Sequence, residues 1–76
     1  MRAYRVEEVE NDTVRVTHVV RAFTAFQAAA FAVNREVTLR KDEPNWIRVT
    51  ETSASGQPLR GGRVFAFRIG GYPPHG

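Results

Sequence analysis

Polar and apolar residues alternate strictly near both ends of the chain and change period in between. Tyr4 and Val6 alternate with Arg5 and Glu7, which predicts a half-buried strand over Arg2 to Glu10. Val9 falls on the wrong parity, as a bulge near Glu7-Glu8 or the end of the strand would produce. Asn11-Asp12 is a turn signal. Thr13 to Ala22 then reads as a second strand, with Val14, Val16, His18 and Val20 on one face and Arg15, Thr17, Val19 and Arg21 on the other. The short link makes the two strands an antiparallel hairpin.

The period then becomes helical over Phe23 to Arg35. Thr24 is a good N-cap, Gln27 stands where a capping box needs it, and Phe23 and Ala28 hold the two positions of a hydrophobic staple. Ala25, Ala28, Ala29 and Ala32 fall on one stripe at about 100° per residue. Phe26, Phe31 and Val33 flank that stripe. Phe31 leans toward the polar side marked by Gln27 and Asn34, where it either tucks over a sheet edge or stands out as an anchor for a partner.

Period-2 alternation resumes beyond the helix. Val37 and Leu39 alternate with Thr38 and Arg40, compatible with a short extra strand, before a turn over Lys41 to Asn45 that contains Pro44. Trp46 to Thr52 is a third principal strand, with Ile47 and Val49 opposite in parity to Trp46, Arg48 and Thr50. Ser53 to Gly62 is a long, flexible loop rich in turn residues. Arg63 to Ile69 closes the pattern, with Phe65, Phe67 and Ile69 against Val64, Ala66 and Arg68.

The expected architecture is α+β: an antiparallel sheet of about four strands, β-β-α-β-β, with one helix packed on one face. Residues 1–69 form the single domain and 70–76 a flexible C-terminal tail. The core face gathers Tyr4, Val6, Val14, Val16, Val20, Ile47, Val49, Phe65 and Phe67 beneath the alanines and the helix phenylalanines, with His18 buried among them.

Composition narrows the chemistry. In 76 residues there is no cysteine, so neither a disulfide framework nor a Cys-based zinc site is available. MRAYRVEEV has no apolar h-region, so no signal peptide is expected, and no apolar run approaches the roughly 20 residues of a membrane span. These features fit a cytoplasmic protein. Net charge is +3, carried almost wholly by arginine, too mild for a polybasic nucleic-acid arm.

The face left open by the helix should collect Arg5, Arg15, Arg21, Arg48 and Arg68 with Trp46 and Thr17. Such a face is either an ordinary solvated one or a binding surface, because arginine beside an aromatic is hot-spot chemistry and also single-strand-binding chemistry. The loop over Ser55 to Arg63 is a second candidate: Arg60 and Arg63 flank Gly61-Gly62, whose N–H groups either close a plain hairpin loop or cradle an anion. The Lys-Ser/Thr pair of a phosphate loop is missing. Two histidines without cysteine do not make a metal site, and no nucleophile stands beside a base in sequence. Neither an enzyme nor a cofactor is expected.

AYRVEEVEN, TVRVTHVVRAFTAFQAAA, WIRVTE and VFAFRI, spread over Arg2 to Ile69, together resemble the small phage anti-CRISPR proteins that block type I surveillance complexes. The resemblance implies a non-catalytic inhibitor that binds a Cas subunit of the crRNA-guided complex and blocks target DNA binding. Several such inhibitors are acidic DNA mimics, whereas this chain is basic, so it would dock on acidic patches or wedge into the complex. The alternative is a nucleic-acid-binding module using the Arg/Trp face. Homodimerisation through an edge strand stays open, since both hairpins expose edges.

Overall fold

A computed structural model describes residues 1–70; the tail sequence from 71 onward lies outside the described residues. The protein is α+β, with strands β1 (Arg2–Glu10), β2 (Thr13–Ala22), β3 (Val37–Leu39), β4 (Asn45–Thr52) and β5 (Val64–Ile69), and one helix, α1 (Ala25–Val33). All five strands form a single antiparallel sheet in the order β2-β1-β4-β5-β3. The short segment Val37–Leu39 is thus a true strand and one edge of the sheet. Gly70 continues its pairing, its N–H donating to the Glu36 carbonyl at 2.8 Å.

Local chemistry explains the punctuation. Asn11 and Asp12 both adopt positive φ, 49° and 66°, as a two-residue hairpin turn with right-handed strand twist requires. The helix opens as its sequence dictates. Gln27 N–H donates to Thr24 Oγ1 at 3.1 Å, and Gln27 Oε1 accepts from Phe23 N–H at 3.1 Å. It closes on Asn34 in the left-handed region, whose N–H donates to the Ala30 carbonyl.

The core lies between this helix and the sheet. Ala25, Ala28 and Ala29 are buried against Tyr4, Val6, Ala22, Val37, Ile47, Val49 and Phe67. Alanine on that stripe lets the helix axis sit close to the strands, and the contact is made by the sheet's large side chains.

Three expectations about this core are corrected. Val14, Val16 and His18 are not buried. A nine-residue helix is about 14 Å long, whereas the nine- and ten-residue strands beneath it reach about 30 Å. The far half of the β1-β2 hairpin therefore extends beyond the helix, giving a molecule 43 × 25 × 18 Å. His18 is half exposed there and pairs with Glu8 at 2.7 Å. The irregularity in the hairpin falls between Glu8 and Val9 in register, with Arg15 as the extra residue on β2, so Val14 changes face. Finally, the helix phenylalanines are not roofed. Phe23, Phe26 and Phe31 are 68%, 52% and 64% exposed, because the alanine stripe is narrow and its flanks overhang the sheet.

Candidate functional site

The sheet face opposite the helix is built as its parity predicts. Register places Arg5, Arg21, Trp46, Arg48 and Thr17 on that face: Trp46 opposite Val9, Arg48 opposite Glu7, Thr50 opposite Arg5, and Arg21 opposite Ala3. Arg68 joins them from β5, next to Thr38 of β3. Arg15 does not. It is the bulged residue, and its guanidinium reaches Glu10 at 3.4 Å.

The arginines of this face are largely engaged. Arg48 Nε donates to Glu7 Oε1 at 2.7 Å, and this bond raises the guanidinium's already high pKa. Arg68 Nε stands 3.0 Å from Glu43 Oε2, near enough to pair in charge though not aligned as a hydrogen bond. Arg5 reaches the Gly56 carbonyl at 3.4 Å. Arg40 lies over the Trp46 ring, its Cζ 4.2 Å from the centroid, and donates through Nε and a terminal nitrogen to the Glu43 carbonyl. Arg48 approaches the same ring at 5.7 Å. The indole N–H is buried without an acceptor among the described residues. Glu43 accepts the Lys41 N–H at 2.8 Å; backbone hydrogen bonds first, and the nearby Arg68 and Arg40 charges after them, hold its pKa below 4.5.

This face is also less open than alternation implies. The loop after β4 folds back over one end: Thr52 bridges to Pro58, and Gly56, at φ 88°, backs onto Val19. Ala3 and Thr52 are buried there. At the other end the 40–44 turn crosses the hairpin tip, with Asn11 N–H donating to the Pro44 carbonyl, and Val9 is buried. The Gly61-Gly62 pair closes a turn, Gly62 N–H donating to the Leu59 carbonyl at 2.9 Å. Arg60 and Arg63 are exposed beside it.

A different surface gathers the exposed aromatics. Between the start of the helix and the β4-β5 ladder runs an open groove of about 360 Å³ lined by Tyr4, Phe23, Phe26, Phe65 and Phe67. Phe26 meets Phe67 edge-on at 6.0 Å, and Phe65 stacks beside Phe67 at 6.5 Å. Arg2, Arg63 and Glu51 form the rim. Glu51 accepts the Arg63 N–H at 3.0 Å and the Arg2 guanidinium at 2.9 Å. The Arg63 backbone bond first, then the Arg2 and Arg63 charges, lower its pKa below 4.5. Glu51 thus pairs with one guanidinium, that of Arg2, and with the Arg63 backbone, and two arginines against one carboxylate leave the rim net positive. Phe31 lies on the opposite flank of the helix, five residues and about 140° from Phe26.

Sequence reasoning brought Arg63 and Phe31 into view but assigned them to separate features, and it missed the groove and Arg40. The groove's signal was Phe65 and Phe67 on the helix-facing parity with Phe26 just outside the alanine stripe; Arg40's was its shared parity with Thr38. Among the described residues no group of three His, Asp or Glu side chains is close enough to hold a metal, and no helix is long and apolar enough to cross a membrane. Comparison with protein-family models, curated proteins and solved structures finds no match.

Proposed function

We propose that this chain is a small, non-catalytic, phage-type inhibitor that binds a Cas subunit of a type I crRNA-guided complex in the host cytoplasm and blocks target DNA binding. The aromatic groove carries the reading. Phe23 and Phe26 stand in water beside an apolar trough that their own fold does not fill. Exposed aromatics clustered around a groove, rather than scattered singly, are the usual centre of a protein contact. The net positive rim of Arg2 and Arg63 favours a partner that sets a carboxylate next to an apolar or aromatic knob. The choice of a Cas subunit rests on the sequence resemblance.

The second reading, nucleic-acid binding through the sheet face, draws on Arg5, Arg21, Arg48 and Arg68 on the face that carries Trp46, with Arg40 over its ring. It is the weaker one. Arg40 already covers the ring on which a base would stack, and Arg48 and Arg68 already face carboxylates.

Co-purification from cells expressing a type I surveillance complex tests the proposal. Stoichiometric recovery of one Cas subunit is expected, with loss of that recovery in F26A. No recovery across several subtypes would refute it, and binding to oligonucleotides with a steep salt dependence would favour the second reading.

A further inference from the structure

The sheet has two edges of very different kinds. The β3 edge is three residues long, whereas β2 presents ten. Which backbone groups of β2 face outward follows from the ladder. In antiparallel sheets, the residues of one strand alternate between bonding one neighbour and bonding the other. Asn11 N–H bonds Pro44, Glu51 N–H bonds Arg63, Arg40 N–H bonds Ala66 and Gly70 N–H bonds Glu36. Traced through the register, these bonds turn the odd residues of β1 toward β4 and its even residues toward β2. His18 and Val20, opposite Val6 and Tyr4, therefore bond inward, and Thr17, Val19 and Arg21 direct N–H and C=O away from the sheet.

This stretch lacks most of the usual guards of an edge. It contains no proline and no lysine, and Val19 is 60% exposed. The bulge at Arg15 lies outside Val16 to Ala22; within it stand one charge, Arg21, and the Val19 side chain that Gly56 backs onto, neither of which occupies the outward N–H and C=O of Val19.

We infer that Val16 to Ala22 pairs with the same segment of a second copy, antiparallel, on a two-fold axis through Val19. In that register Val19 meets Val19, Thr17 meets Arg21, His18 meets Val20 and Val16 meets Ala22, so no two like charges oppose each other. The outward-facing residues become the hydrogen-bonded pairs. The pairing uses backbone groups of β2 and none of the groove's aromatic side chains, so the dimer does not rest on the function proposed above.

Sedimentation of the purified chain tests the inference without any partner present. A dimer of twice 8.6 kDa is expected at high micromolar concentration. V19P removes an N–H that β1 does not use; losing both symmetry-related bonds should weaken association about thirtyfold. V19C supplies a second readout, because the natural chain has no cysteine. Two Val19 positions on the axis are within disulfide reach, whereas two Thr17 positions are four residues further apart along the strands. Rapid oxidation of V19C to a covalent dimer, with T17C much slower, supports the register. A monomer at high concentration, or equal cross-linking of V19C and T17C, overturns it.

Discussion

Arg40 lies across the indole of Trp46, its Cζ 4.2 Å from the ring centroid, and holds that position by donating twice to the Glu43 carbonyl. Glu43 in turn faces Arg68. The 40–44 turn is thereby fastened over the hairpin side of the sheet. Trp46 is the chain's only tryptophan, so its emission reports this contact directly. Arg40→Ala should shift the emission to longer wavelength and cost about 1 kcal/mol in urea unfolding, the scale of a partly exposed cation–π contact. Unchanged emission would mean that the guanidinium does not rest on the ring in solution.

The Glu7–Arg48 bond, at 2.7 Å between neighbouring strands, is the shortest arginine–carboxylate contact among the described residues. A double-mutant cycle with E7Q and R48M should return a coupling of about 1 kcal/mol, the upper end for a pair that is still partly solvated. A coupling near zero would show that cross-strand packing, not charge, aligns these two positions.

Acid should loosen the β4-β5 end and the 40–44 turn. Glu51 and Glu43 have folded-state pKa values below 4.5, each held down first by backbone N–H donors and then by nearby arginines. Depressed carboxylates stabilise the folded state fully above the unfolded value, and the contribution is lost as pH falls through the folded value. Stability should therefore drop below about pH 4.5, and E51Q should flatten the slope there while lowering stability at neutral pH. An acid limb of the same slope in E51Q would place the titrating group elsewhere.

The helix seat is tight. Ala28 and Ala29 are fully buried against the sheet, so A28L has no room and should cost about 1–3 kcal/mol in urea unfolding by overpacking. A Leu tolerated without loss would mean that the helix rides higher on the strands than the contacts here require.

What was legible in the sequence was local. Thr24 with Gln27 marked the helix start, Asn11-Asp12 marked the hairpin turn, and alternation assigned Ile47, Val49 and Phe67 to the helix face and Trp46, Arg48 and Arg68 to the other. What was not legible was relative length and strand order. Val16 and His18 carry a core-like pattern, yet a helix half the length of the strands leaves them uncovered, and the bulge at Arg15 turns Val14 to the other face. Arg40 could be placed over Trp46 only once β3 was known to pair with β5, a contact between segments distant in sequence. The groove depends on the same non-local fact, since it forms where the helix flank meets β5.

The central claim is that Phe23 and Phe26 are kept exposed for a partner. The most direct measurement is target-DNA binding by a reconstituted type I surveillance complex titrated with this protein. The wild-type chain should abolish DNA binding at stoichiometric concentration. F26A, whose half-exposed ring also meets Phe67 edge-on and whose folding is therefore checked by urea unfolding, should need at least about thirtyfold more protein, the loss of one hot-spot side chain of about 2 kcal/mol. Full DNA binding in the presence of excess wild-type protein, or equal inhibition by wild type and F26A, would contradict the account.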